Sequence, residues 1–268
     1  MNEIEESEAR ENPPPPVLTL QDLTIIEAWD PEANRPKYVT FYLVTAGEEV
    51  YFGQSTKNKR DLSPQEAQAA LKHVKDDEIY PKVPSDVSLT IAPNGLDDTS
   101  AFIKRPGLNC YEEMRGTDFI PRALLEETLI MEEISRGQHP NIIGYYGCRV
   151  RRGRITCIVL ERLEQTLSQL SRTAEFEQLD KSSFIEALGS AVTYLHSLGL
   201  AHNDINPDNI MVKDGMPVLI DFGSCQPVGK RLQSLGTPGW YEELFYTSET
   251  KHDTYSLNKL REWLQNPQ

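Results

Sequence analysis

The chain has 268 residues, of which 38% are hydrophobic and 25% charged, and its 27 basic against 41 acidic side chains leave a formal charge of −14. This is the composition of an ordinary globular protein with one sizeable core or two modest lobes, and it excludes a fibre. The acidic balance argues against a general nucleic-acid or anionic-membrane surface.

Residues 1–16, "MNEIEESEARENPPPP", combine charge with four consecutive prolines and predict a disordered tail, because neither feature buries surface or holds a helix. Over 37–53, "KYVTFYLVTAGEEVYFG" places two β-rich runs around Ala46-Gly47-Glu48-Glu49 and predicts a hairpin. "SPQEAQAALKHV" opens a helix, with Ser63 as cap, Pro64 at the first helical position and Glu66 three residues after the cap. Two further strands are expected in "VSLTIA" (87–92) and "SAFIKRP" (100–106). "FIPRALLEETLIMEEI" (119–134) sets Leu124, Leu125, Thr128, Leu129, Met131 and Ile134 mainly along one helical face. "GCRVRRGRITCIVLERL" reads as a hairpin turning at Arg152-Gly153, and "SSFIEALGSAVTYLHSLG" as a helix that ends at Gly199.

Cys110, Cys148, Cys157 and Cys225 show neither metal-ligand pair spacing nor the density of a disulfide scaffold, which points to reduced thiols in an intracellular, cytoplasmic protein. The N-terminus has no basic and apolar leader pattern, and no stretch approaches the ~18 apolar residues of a spanning helix, so neither secretion nor membrane insertion is expected.

The chemistry concentrates in "AHNDINPDNIMVKDGMPVLIDFGSCQP", residues 201–227. Phosphoryl transfer needs metal ions bridging nucleotide phosphates, a carboxylate near the incoming hydroxyl, and positive charge over the phosphates. "HNDINPDN" offers Asp204 as the hydroxyl-orienting base and Asn209 as a metal ligand. "MPVLIDFG" brings Asp221 to a strand end as the main Mg2+ ligand. Singly, each of these residues is an ordinary turn residue; their joint spacing is what carries the assignment.

On these residues the chain resembles the eukaryotic protein kinase superfamily over roughly 87–264. "HNDINPDN" is similar to the catalytic loop, "DFG" is intact, and "QHPNIIGYYG" resembles the segment after the regulatory helix. "GLAHNDINPDNIM", "IKRP" and "GTPGW" are together similar to a group of fungal kinase-like proteins with a truncated second lobe. The resemblance implies a two-lobed α+β fold, with an antiparallel first-lobe sheet carrying one main helix and a reduced helical second lobe. The implied divisions are the tail over 1–16, an extension of hairpin plus helix over 17–86, a first lobe over 87–163 and a second over 164–268. Lys104 becomes the phosphate-pairing lysine, held by Glu127 or alternatively Glu126. Leu160 falls at the gatekeeping position, with Glu161 to Leu163 as the hinge whose backbone meets adenine. Asp253 becomes a buried aspartate of the following helix. The implied cofactors are ATP and Mg2+, and the implied partner is a protein substrate or binding partner, with no nucleic acid or membrane.

Departures from the family pattern leave three functions open. No glycine occurs over 79–94, where a phosphate-covering loop is expected, and the hairpin around Gly47 and Gly53 is the alternative source. Asn203 stands where most relatives carry arginine, so a phosphorylated activation loop loses its anchor. Asn206 replaces a lysine, with Lys213, Lys230 and Arg231 as candidate compensating cations. Only residues 222–268 follow Asp221, fewer than the usual helical subdomain needs. The first reading is an ATP-dependent kinase acting on protein Ser or Thr. The second is a pseudokinase that binds nucleotide or a partner. The third is a small-molecule phosphotransferase similar to choline and aminoglycoside kinases.

Overall fold

The computed structural model describes residues 13–30 and 35–267, so the tail expected over 1–16 lies outside the described residues through position 12. The chain packs as two compact units, each assembled from separated stretches. The first comprises residues to Lys82, Pro106–Pro121 and Arg151–Arg154; the second comprises Val83–Arg105, Arg122–Val150 and Ile155–Gln268.

Alternating apolar residues build the first unit. Strands β1 (Thr24–Asp30), β2 (Arg35–Val44), β3 (Val50–Ser55) and β4 (Lys72–Val74) form one sheet in sequence order, and the helix α1 (Pro64–Ala70) lies between β3 and β4 in the chain. β2 and β3 are the expected hairpin, with Val44 opposite Val50 and Phe41 opposite Gly53. Val39, Phe41 and Tyr51 reach the core, where Ala67 of α1 meets them. α1 starts as its sequence predicts: the Ser63 hydroxyl accepts the Glu66 N–H, and the Glu66 carboxylate accepts the Ser63 N–H. Two single-turn helices, α2 (Asp76–Ile79) and α3 (Tyr111–Met114), belong to the same unit, and the Tyr111 hydroxyl donates to Glu78 at 2.8 Å. The Arg152 guanidinium binds Asp76 and donates to the Gly47 carbonyl at 2.7 Å.

The second unit holds β5 (Phe102–Lys104), most of α4 (Phe119–Ser135), β6 (Tyr145–Arg151) and β7 (Arg154–Leu160), with the three strands in the order β5-β7-β6. β5 pairs antiparallel with β7, and Lys104 lies opposite Ile158. Two strand expectations are corrected. Residues 87–92 make one parallel bridge, Ile91 to Cys148, in place of a strand. The close approach is made through Gly147, at φ 121°, where an added Cβ would lie 2.5 Å from the Thr90 carbonyl oxygen. The strand expected over 100–106 is cut to three residues: upstream, the Asp97 carboxylate accepts the Thr99 and Ser100 N–H groups, and downstream Pro106 has no N–H to give.

The remainder of this unit is mainly helical. After α5 (Leu167–Leu170) comes α6 (Lys181–Ser197), which buries Phe184, Ile185, Leu188, Ala191, Val192 and Leu195 at helical spacing. α6 ends at Leu198, and Gly199 follows at φ 72°, the left-handed conformation expected of it. Two short hairpin components, β9 (Ile210–Lys213) and β10 (Met216–Leu219), pair antiparallel; β8 (Leu200–Ala201) pairs with β11 (Gln226–Pro227), and α7 (Thr250–Trp263) follows. Antiparallel sheets segregated from helices make this an α+β fold. Among the described residues no helix is long and apolar enough to cross a membrane, and no disulfide joins the cysteines.

Candidate active site

β5 alternates, so Ala101 and Ile103 enter the core while Phe102 and Lys104 share the opposite face. Lys104 Nζ donates to Glu127 Oε1 at 2.5 Å and to Asp221 Oδ1 at 2.7 Å. Of the two glutamates, therefore, Glu127 meets the lysine; Glu126 accepts from Gln226 and Gln233 instead. Burial opposes the charge on Lys104, but the Glu127 and Asp221 carboxylates outweigh it and raise its pKa, so the ammonium stays protonated. Burial likewise opposes ionisation of Asp221, and the Lys104 ammonium with the Gly223 N–H overcomes it and holds the carboxyl below its ordinary range. Burial pushes Glu127 up, and Lys104 only partly offsets it. The Asp221 side chain remains 50% exposed against 10% for Glu127, so of the two lysine partners it is the one open to a further ligand.

Asp221 sits at φ 60°, ψ 81°, a left-handed conformation that costs a residue with a Cβ roughly 1–3 kcal/mol and is met mostly at functional positions. Its Oδ1 accepts the Gly223 N–H at 3.2 Å, which closes the turn. One residue earlier, the Ile220 N–H donates to the Asn209 carbonyl at 3.0 Å, so the β9–β10 pairing carries Asn209 and Asp221 to the same end of the hairpin.

Asp204 is held from three sides. Its Oδ1 accepts the Thr237 N–H at 2.7 Å and Asn206 Nδ2 at 3.1 Å, and its Oδ2 accepts Asn209 Nδ2 at 2.9 Å. Asn206 also caps the 3₁₀ turn over Pro207–Asn209 by accepting the Asp208 and Asn209 N–H groups, and it donates to the Thr237 hydroxyl at 3.1 Å. The residue that replaces a lysine is thus a buried, neutral tie between Asp204 and Thr237.

Beneath this loop lies Asp253, fully buried on α7. Its carboxylate accepts the His202 N–H at 2.9 Å, the Asn203 N–H at 2.8 Å and His196 Nε2 at 2.9 Å. His202 packs edge-on against Phe222 and donates through Nε2 to the Ile220 carbonyl at 3.0 Å, which makes it a structural link between the two loops. Replacement of Asp253 by alanine strips two buried backbone N–H groups of their acceptor. It is expected to destabilise the chain by about 3 kcal/mol, measurable by urea unfolding, with Asp253→Asn recovering part of the loss.

Above the hairpin end lies a cavity of about 210 Å³ with Phe102, Ile143, Leu160, Leu163, Met211 and Ile220 on its apolar walls, and Lys104, Glu161 and Asp221 on its border. It is smaller than the ~300–1,000 Å³ of a pocket that encloses a whole drug-sized ligand, so a flat base would fill it with any phosphates lying outside. The Glu161 N–H is committed to the Gly144 carbonyl at 2.8 Å, which removes that group from those available to a base. Glu161 also pairs with Lys213 at 2.5 Å, so Lys213 is engaged away from the phosphate end. The hairpin around Gly47 and Gly53 pairs within the sheet of the first unit, in the order β1-β2-β3-β4. Burial pushes the Cys225 thiol well up, in keeping with an inert core residue.

A lysine ion-paired to a helix glutamate and a strand-end aspartate at the border of an apolar slot, with a loop aspartate joined to Asn209, are groups of the kind phosphoryl transfer needs. The sequence pattern of the family described as "Protein kinase domain" matches residues 109–257, and the chain belongs to that family. Over 186 residues it is 30% identical to the serine/threonine-protein kinase/endoribonuclease IRE1 of Hypocrea jecorina, covering 59% of this chain and 14% of that protein. It is 29% identical over 154 residues to the MAP kinase kinase kinase SSK2 of Saccharomyces cerevisiae (54% and 10%), and 32% identical over 98 residues to the Wee1-like protein kinase of Arabidopsis thaliana (36% and 19%). The chain spans about a tenth to a fifth of the length of these relatives.

Kinase domains in general work with ATP and Mg2+, and the donor set here fits a hard cation. Asn209 spends its amide nitrogen on Asp204, which leaves the carbonyl oxygen Oδ1 to a metal, and Asp221 adds a half-exposed carboxylate. Among the described residues no group of three or more His, Cys, Asp or Glu could hold a metal alone, so phosphate and water oxygens would complete the shell. Sequence reasoning missed the connecting roles of Asn206, Thr237 and Glu126. The one available signal was "GTPGW", which marks the segment but not its partner.

Proposed function

We propose that the chain is an ATP-dependent protein kinase that transfers the γ-phosphate of ATP to a serine or threonine hydroxyl of a protein. The observation that carries this reading is the Lys104 ammonium held between Glu127 and Asp221, a partly buried cation fixed where phosphate oxygens need positive charge. Leu160, Glu161 and Leu163 border the base slot, Lys104 anchors phosphate oxygens, and Glu127 orients the lysine. Asn209 and Asp221 are the residues that would hold Mg2+, which when bound neutralises phosphate charge. Asp204 orients the acceptor hydroxyl and takes its proton while the new oxygen–phosphorus bond forms and the β–γ bridging bond breaks to release ADP. Relatives named as serine/threonine-protein kinases support the acceptor class. In functional terms 17–86 is an extension, 87–163 the first lobe and 164–268 the second, in an intracellular, cytoplasmic protein.

A second reading, a pseudokinase, is favoured by the contacts of Asp204: both of its carboxylate oxygens already accept from the chain's own Thr237, Asn206 and Asn209, and Asn206 supplies no positive charge. Calorimetric titration with ATP, with and without Mg2+, followed by radiolabelled phosphate transfer on the same sample, separates the two. Mg2+-dependent binding with incorporation into protein is the expected result; binding without transfer supports a nucleotide-binding pseudokinase, and no binding overturns the kinase and leaves only the partner-binding scaffold.

A further inference from the structure

α4 carries two consecutive glutamates with different partners. Glu127 holds Lys104, whereas Glu126 faces the segment that follows Asp221, where a single oxygen, Oε2, accepts from Gln226 Nε2 at 3.0 Å and from Gln233 Nε2. Between its carboxylate-bound ends, Gly223 on Asp221 and Thr237 on Asp204, the segment is otherwise fastened by uncharged groups. Ser224 and Ser234 share a hydroxyl–hydroxyl bond of 2.9 Å, and Asn203 Nδ2 reaches the Ser224 carbonyl and the Ser248 hydroxyl, both at 3.0 Å. Backbone bonds from Leu232 N–H to the Tyr246 carbonyl and from Ser248 N–H to the Lys230 carbonyl complete the frame.

We propose that Glu126 is a positioning residue of the phosphotransfer cleft: by binding Gln226 and Gln233 it ties residues 226–233 to the helix that presents Glu127 to Lys104. The segment is then ordered by hydrogen bonds of the unmodified chain. Neighbouring residues on a rigid helix cannot move independently, so displacement of Gln226 and Gln233 shifts Glu127 relative to Lys104. Hydrogen bonds to a carboxylate are stronger than neutral ones, which suits one residue to hold two amides. This deepens the kinase reading above and rests on it for its kinetic arm only.

The test uses the full chain and the variants Glu126→Ala, Glu126→Gln and Gln233→Ala. A glutamine keeps one carbonyl oxygen able to accept from both amides, as Oε2 does, but carries no charge. Backbone hydrogen exchange over 224–236 is expected to quicken about tenfold in Glu126→Ala, as loss of one or two hydrogen bonds implies, and to return close to wild type in Glu126→Gln. Gln233→Ala is expected to give part of the effect, and to add nothing once Glu126 is alanine. In phosphate-transfer assays Glu126→Ala raises the KM for ATP several-fold with a smaller change in kcat, and Glu126→Gln restores it. Unchanged exchange in Glu126→Ala overturns the proposal, and so does a Glu126→Gln variant as loose as the alanine one. A wild-type chain that transfers no phosphate yet shows the expected exchange pattern would sink the kinase reading and leave the positioning role standing.

Discussion

Asp204→Ala is expected to retain ATP affinity and lose turnover by about 10²–10⁴-fold, the contribution typical of a positioned general base. The separation of the two effects follows from where Asp204 lies. Its carboxylate binds Thr237, Asn206 and Asn209 on the loop, whereas the apolar slot for a base is walled by Ile143, Leu160, Leu163 and Met211. Removal of the carboxylate frees the Thr237 N–H, while the Asn209 amide keeps its bond to the Asp204 carbonyl, so some local loosening around Thr237 accompanies the loss. Steady-state transfer with saturating ATP, compared with ATP titration of the same preparation, measures both quantities. Turnover equal to wild type would remove Asp204 as the base.

The second large effect is expected at Asp221. Asp221→Ala is expected to abolish the Mg2+ dependence of ATP binding, so that titrations with and without the metal coincide. Stability should change little, because Lys104 keeps Glu127 and the lost carboxylate is half exposed. Alanine at φ 60° is itself unfavourable, so Asp221→Asn, which tolerates the left-handed conformation better, serves as the control for backbone strain. Retained Mg2+ dependence in both variants would overturn the assignment of Asp221 as a metal ligand.

Much of the candidate site was legible because phosphoryl-transfer chemistry asks for particular residue types at short separations. Asp204 and Asn209 share one loop, Asp221 stands at the end of a run that pairs back onto that loop, and Lys104 sits on a strand whose alternation is readable. The choice of Glu127 over Glu126 was open in sequence, since adjacent glutamates on one helix differ only in where each side chain points; the Lys104 bond decides it. The expected strand over 87–92 failed because a β-rich run says nothing of whether a partner edge lies along its whole length, and here only the approach beside Gly147 brings one close. Asn206 was read as a missing charge. Its cap role is local, an asparagine just before Pro207, but its role as a tie depends on Thr237, thirty-one residues away, and such a distant partner leaves no local signature.

The interleaving of the two compact units bears on how such a chain can be inherited. Residues 106–121 and the hairpin tip 151–154 pack with the N-terminal stretch, through Tyr111 on Glu78, Gln54 on Glu112 and Arg152 on Asp76. A recombination event anywhere between residues 83 and 150 would therefore part segments that share a fold. The N-terminal stretch can diverge only together with two short islands embedded in the kinase sequence, and those islands are where compensating substitutions among related chains should collect.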